Sequence, residues 1–330
     1  MSVGKITLMR SESVNVFVNQ AIEAALLETV GEDEAALYLW RNERAVVIGR
    51  NQNAYAECRV QSLEESGGLL ARRLSGGGAV WHDLGNLNFT FVAREGNFDR
   101  RKNFKTVLDA LASLGIRAEL GGRNDLVAEG AKFGGNAYYK RGGAEFHHGT
   151  LLVSTAPEDV ARYLTPPGEK FVGKSVKSVS SRVAPLAAYR DDVTVERVAD
   201  ALEESFAAAY PSAAASRPIP FVLGAEKVLK WTAFFGTDEW RYGKKRDYVF
   251  EFAAEVFGER AVVRVAEEDG KTSAVDVASD SLDAEKVSAL KFVLSGEEIP
   301  ADAALTEEEK SEVRAEAERL AARIREEKGV

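Results

Sequence analysis

The sequence predicts an α+β protein: a large domain over residues 1–246, and a small α+β domain over 252–330. Two observations point there. Helical stripes and strand-like runs both occur along the chain. The texture also changes after the polar run 241–247, where short alternating segments and one long amphipathic stripe take over. With 330 residues, 45% of them hydrophobic, the chain is long enough to bury a substantial core.

The elements follow in order. Residues 13–27 carry Phe17, Ala21, Ile22, Ala25 and Leu26 at helical spacing, behind Ser13 or Asn15 as an N-cap. Residues 37–40 and 45–49 read as strands, the second stopping at a turn-rich stretch. Leu87, Phe89 and Phe91 alternate with Asn88 and Thr90, the pattern of a half-buried strand. Phe104, Val107, Leu108, Leu111 and Leu114 stripe a helix that Gly115 closes. A strand over 146–153, a short helix over 157–164 and a longer helix over 194–209 follow. In the tail, 261–265 and 274–277 form a hairpin around 268–270, and Thr306 with Glu309 makes a capping box for a last helix striped by Val313, Ala317, Leu320 and Ile324.

Composition excludes several function classes. A net charge of −9 argues against a generic nucleic-acid binder, which needs a basic face. One cysteine, Cys58, excludes an internal disulfide framework, and three histidines leave little for a metal cluster, so a reducing cytoplasm is expected. No export signal and no apolar run long enough for a membrane span are seen.

The octapeptide GEKFVGKS at 168–175 matches G-x-x-x-x-G-K-[ST], the phosphate loop of nucleotide triphosphatases. Such a loop runs from a buried strand into a helix, whose N-terminus adds positive potential. Here a helix end and Pro166-Pro167 precede it, and a Val/Ser-rich segment without a helical stripe follows, so the context rejects a P-loop. What survives is a set of cations, Lys170, Lys174, Lys177 and Arg182, on a Gly/Ser-rich segment of an acidic chain, suited to a flap over a phosphate or to a solvated charge run.

Two other segments are richer in chemistry. In RRLSGGGAVWHDLGN, residues 72–86, three consecutive glycines contribute no packing, so a ligand approaching the backbone is the simplest reason for them. In GRNDLVAEGAKFGGNA, residues 122–137, Glu129-Gly130 reads as a hairpin turn that brings Asp125 and Lys132 near each other: a carboxylate for Mg²⁺ beside a cation for phosphate, or a structural ion pair. His147 and His148 are adjacent on a strand, point to opposite faces and cannot share one metal.

Together with HHGTLL at 147–152 and KSVKSVSSRV at 174–183, these motifs resemble the lipoate–protein ligase A family, in order along nearly the whole chain and most strongly over 72–183. The resemblance implies a large mixed-sheet, biotin/lipoate ligase-like catalytic domain with a small α+β C-terminal accessory domain. It implies an enzyme that uses ATP and Mg²⁺ to convert lipoate, or octanoate, to an acyl adenylate. The acyl group then passes to a lysine of a lipoyl domain, in 2-oxoacid dehydrogenase complexes or the glycine-cleavage H-protein. By motif, Lys132 would be the catalytic lysine. Arg73, Ser75, Gly76, Gly77, Gly78, Val80 and His82 would surround the adenylate with Asn86 in support, and Asn124 and Asp125 would sit near phosphate and metal. Gly135, Ala137, His148 and Gly149 would complete the floor, and Lys174, Ser178 and Arg182 the flap. The apolar acid would be lined by residues such as Leu39, Trp40, Val80 and Phe146. Two alternatives stay open: an octanoyl or lipoyl transferase of the same fold working through a cysteine, for which only Cys58 is available, and a non-catalytic binder of lipoyl domains. The family's proline at the domain junction is missing from 240–246.

Overall fold

The computed structural model describes residues 3–122, 124–165, 183–218, 224–243, 246–268 and 271–328. The first unit is organised around an eight-stranded mixed sheet. Its strands are β1 (Lys5–Arg10), β2 (Glu34–Trp40), β6 (Asn86–Arg94), β7 (Glu119–Gly121), β8 (Asp125–Ala128), β9 (Ala131–Arg141), β10 (Ala144–Leu152) and β11 (Ala214–Ser216), in the spatial order β11-β1-β2-β6-β10-β9-β8-β7. β1 runs parallel to β2 and β11, and all other neighbours are antiparallel. A second, three-stranded sheet comprises β3 (Ala45–Ile48), β4 (Leu69–Arg72) and β5 (Val80–His82), with β3 in the middle. It carries the triple-glycine segment between β4 and β5.

Helices cover both faces of the large sheet. On one face lie α1 (Val16–Thr29) and α7 (Ala225–Gly236), sharing a core of Ala21, Ile22, Leu26, Trp40, Phe146 and Phe235. On the other, α4 (Arg100–Ser113) and α6 (Val195–Ala209) pack Val107, Leu111, Val198, Leu202 and Phe206 against Leu37, Phe89 and Phe91. The short helices α2 (Ala54–Glu57), α3 (Val60–Glu65), α5 (Pro157–Tyr163) and α8 (Asp238–Tyr242) flank the smaller sheet. Asn15 is the N-cap of α1, its side chain accepting from the Phe17 and Val18 amides.

This double covering corrects one expectation. β6 is buried on both faces, with Asn88 and Thr90 as inaccessible as Phe89 and Phe91, because it is a central strand between two helical layers. Its polar residues therefore signal a buried hydrogen-bond network and not a solvent face. Strand alternation also separates the residues expected to line one apolar pocket. Trp40 and Phe146 face α1, whereas Leu39 packs into the cluster on the α4/α6 side. Cys58 caps the end of α2 and is paired by an isolated bridge to Leu164.

The second unit is an antiparallel meander of β12 (Phe250–Val256), β13 (Glu259–Glu268) and β14 (Lys271–Ser279), covered by α9 (Ala284–Leu294) and α10 (Glu307–Lys328). It has its own core, in which Val313, Ala317, Leu320 and Ile324 line α10 as their spacing predicts. The capping box is present: the Thr306 amide donates to Glu309 Oε2 at 2.7 Å and the Glu309 amide to Thr306 Oγ1 at 3.2 Å. Among the described residues no helix is long and apolar enough to cross a membrane.

Candidate active site

The hairpin of β8 and β9 turns at Glu129-Gly130, both with positive φ, and a register shift between Leu126 and Val127 offsets the pairing so that Lys132 stands opposite Val127. The long lysine side chain reaches back along the ladder, and its Nζ pairs with Asp125 Oδ1 at 2.7 Å. Both groups are partly open to solvent. The lane beside the ammonium is clear, because an added Cβ at Gly135 would meet only the end of Lys132, its Cε and Nζ each 3.8 Å away.

Asn124, just before this pair, is clamped to β9. Its Nδ2 donates to the Asn136 carbonyl at 2.7 Å, while the Asn136 amide and Nδ2 both donate to the Asn124 carbonyl, at 2.9 and 3.0 Å. Asn136 Oδ1 in turn accepts from His147 Nε2 at 2.8 Å. His147 is held among Phe89, Phe91, Phe104 and Tyr138, and burial keeps it neutral, its pKa well below the usual histidine value. His148, on the opposite face, serves a different network.

That network is a buried polar wire. Trp40 Nε1 donates to Thr90 Oγ1 at 3.0 Å, and Thr90 Oγ1 donates to Glu23 Oε1 at 2.7 Å. His148 Nδ1 donates to the same Glu23 oxygen at 2.8 Å, and its Nε2 is hydrogen-bonded to Ser75 Oγ at 2.7 Å. Ser75 Oγ also accepts from Arg73 Nε at 3.1 Å. The order hydroxyl, imidazole, carboxylate is that of a nucleophilic triad, but Ser75 is 0% exposed and pinned on both sides, so it braces the loop.

The triple-glycine loop is shaped by Arg73. Its guanidinium donates to the carbonyls of Gly76 at 2.6 Å, Gly78 at 2.7 Å and Val47 at 3.1 Å, and burial lowers its pKa to about 10. The side chain lies behind the loop and holds its carbonyls, turning the peptide groups. Gly77 sits at φ +90, a conformation that favours glycine. Around Gly78 no heavy atom lies within 4 Å of an added Cβ, so this side of the loop is open. The Gly77 amide, by contrast, donates to the Ser281 carbonyl of the second unit at 3.1 Å, and an added Cβ at Gly76 would collide with that same oxygen.

The remaining expected residues surround these groups. His82 is buried on β5 with its ring 6.0 Å from that of Trp40 and steeply inclined to it, and Val80 pairs with Val47. Asn86 is fully buried and donates to Asn88 Oδ1 at 3.1 Å. Ala137 and Gly149 flank the β9–β10 ladder opposite His148 and Asn136, where an added Cβ on Gly149 would collide with the Phe89 ring. Lys174, Ser178 and Arg182, with Lys170, Lys177 and the octapeptide, fall outside the described residues. Glu23 and Asn136 join these networks without having been singled out, and His147, weighed only as a metal ligand, is Asn136's donor. The signal of Glu23 and Asn136 was weak: a carboxylate and an amide whose meaning depends on partners remote in sequence.

No group of three or more metal-ligating side chains exists among the described residues. Cys58 is buried, and desolvation pushes its thiol up to about 12. Such a thiol stays protonated and makes a poor nucleophile.

Comparison with known proteins places this arrangement in context. A lipoate-protein ligase A from Psychrobacter cryohalolentis is 38% identical over 251 residues, 74% of each chain. The crystal structure of P. falciparum LipL1 in complex with lipoate matches with a TM-score of 0.76 and 26% identity, covering 97% of this chain and 99% of the other. A crystal structure of lipoate-protein ligase A bound with ATP matches with a TM-score of 0.60 and 27% identity, covering 74% of this chain and 99% of that one. The model of the lipoyl protein ligase A/B catalytic domain matches residues 15–207, and the chain belongs to that family.

Proposed function

We propose that this ATP-dependent lipoate–protein ligase activates lipoate to lipoyl-AMP and passes the lipoyl group to a lysine of a lipoyl domain, with Lys132 acting on both steps. The observation that carries the reading is the Lys132–Asp125 pair beside the bare backbone of Gly135, in a chain of this family. In the first step a carboxylate oxygen attacks the α-phosphorus and pyrophosphate leaves. Negative charge meets negative charge, so the protein must align and neutralise the two reactants. An ammonium at the end of a partly exposed side chain can contact the acyl oxygen and the phosphate together.

In the second step the acceptor amine attacks the mixed anhydride and AMP leaves. Lys132 then stabilises the oxyanion on the acyl carbonyl. One carboxylate, Asp125, fits Mg²⁺ carried in on the nucleotide's phosphates, since that ion is commonly held by one or two carboxylates plus substrate oxygens. Bound there, Mg²⁺ would add neutralising charge. The wire from Glu23 to Ser75 and the brace of Arg73 would hold the loop for the adenylate, with Trp40 and Phe146 beside the apolar acid. We take residues 1–246 as the catalytic unit, residues 252–330 as accessory, the cytoplasm as the working compartment, and lipoyl domains of 2-oxoacid dehydrogenases or H-protein as acceptors.

Lipoate-dependent exchange of pyrophosphate into ATP tests the first step. The wild type should exchange, and Lys132→Ala should lose about 100- to 1,000-fold in rate, the cost of removing one transition-state contact. Exchange at wild-type rate in that variant would end the proposal.

A further inference from the structure

The three histidines sit in three buried settings, and the tautomer of His82 is fixed by a chain of groups that begins far from the loop. Asn19 Oδ1 accepts from the hydroxyls of Ser11 at 2.6 Å and Tyr38 at 3.0 Å. Its Nδ2 therefore faces the carbonyls of Ser13 and Arg41, at 3.0 and 2.8 Å, and Asn42 Oδ1 at 2.9 Å. A flipped Asn19 would set its oxygen against three other oxygens. With Asn19 fixed, Asn42 must present its oxygen to Asn19 and its Nδ2 to His82 Nδ1, at 2.8 Å.

An amide nitrogen only donates, so Nδ1 of His82 is the acceptor and the ring proton of the neutral imidazole is on Nε2. Burial, with Arg73 and His148 nearby, lowers this histidine to about 3, so it is neutral at working pH. Nε2 is buried and has no hydrogen-bond partner among the described residues. A buried donor without an acceptor is costly, about 1–3 kcal/mol in general. The ring's charged neighbours include Arg73, which shapes the glycine loop.

We propose that Asn42, oriented by Asn19, is a positioning residue that keeps His82 in the Nε2–H tautomer, and that this N–H donates to an oxygen of the bound acid or its adenylate. The inference rests on the ligase reading, because it assigns the acceptor to that ligand. It goes beyond that reading by giving Asn19 and Asn42 a role, since the pair decides whether the site offers a donor or an acceptor. Opposite tautomers of one ring would differ in sign toward a carbonyl oxygen.

Imidazole ¹H–¹⁵N correlation spectroscopy on ¹⁵N-histidine-labelled protein, in which only three rings give signals, tests the proposal. The ring signals are assigned with His147→Phe and His148→Gln. The wild type should show His82 with a pyridine-type Nδ1 and a protonated Nε2. Adding a non-hydrolysable acyl-sulfamoyl adenosine carrying a lipoyl chain should shift the Nε2 proton downfield. Asn42→Leu, which removes the donor and keeps the volume, should yield mixed tautomers and raise the lipoate KM about tenfold, the size expected for one neutral hydrogen bond. Should Asn42→Leu fail to fold, the wild-type spectrum alone decides the tautomer and its response. A Nδ1–H ring in the wild type, or an Nε2 proton unmoved by the analogue, would overturn the inference. Wild-type exchange activity read in parallel separates the two ideas: exchange with an unresponsive Nε2 proton sinks only the tautomer proposal, while absent exchange sinks the ligase reading.

Discussion

His147 shows what single residues contribute here. It is buried, neutral and donates to Asn136, which ties Asn124 to β9 one residue before Asp125. Two consequences follow from its burial. The folded state binds no proton on His147 or His82 near neutrality, whereas the unfolded chain does so below pH about 6.5. Stability is therefore fully present above that pH and falls as the pH drops toward the depressed folded values, by up to about 1.4 kcal/mol per pH unit for each histidine. Urea unfolding between pH 7 and pH 5 should show this decline. His147→Phe, which suits the aromatic cage, should make it shallower by one histidine's share; an unchanged slope would mean that His147 titrates alike in both states.

At the scale of elements, Arg72 joins parts distant in sequence. From the end of β4 its guanidinium donates to the carbonyls of Gly49, Arg50 and Gln52 at 3.2, 2.9 and 2.6 Å, and to those of Trp240 and Arg241 in α8 at 2.7 and 3.0 Å. Trp240 Nε1 returns a bond to the Arg72 carbonyl at 2.8 Å. Arg72→Met should destabilise the protein by roughly 3 kcal/mol or more in chemical denaturation, since several buried carbonyls lose their donor. Arg72→Lys should recover little, because an ammonium cannot fork to five acceptors.

Helical elements with strong periodicity were legible: α4 with its Gly115 stop, α6, and α10 with its capping box. Strands β1, β4 and β11 were not, being short and apolar on both faces or drawn from an Ala-rich patch. The glycine loop and the Asp125–Lys132 hairpin were readable because turn chemistry and charge stood out locally. The hydrogen-bond chains beneath them were not, because Glu23, Asn42 and Asn136 acquire their roles only through partners brought in by the fold.

For the whole molecule, the meeting of the two units is decisive. Ser279 to Ser288 contact the catalytic unit at its turn after β3 and at the glycine loop: Asn51 Nδ2 donates to the Ala284 carbonyl at 2.8 Å, Arg50 pairs with Glu285, and Gly77 donates to Ser281. Leu282 packs over Gly77. If the ligand uses the Gly77 amide, ligand and second unit compete for one donor. Leu282→Ala, which loosens this contact, should then lower the KM for ATP severalfold in the exchange assay, while an unchanged or higher KM would show that the contact does not oppose binding. Arg72 anchors α8 to β4 and the turn after β3, so any release of the second unit would have to pivot beyond Tyr242. The glycine loop then resembles a latch: one of its amides is held by the chain's own Ser281 carbonyl, and a ligand that needs that amide must first displace the second unit from it.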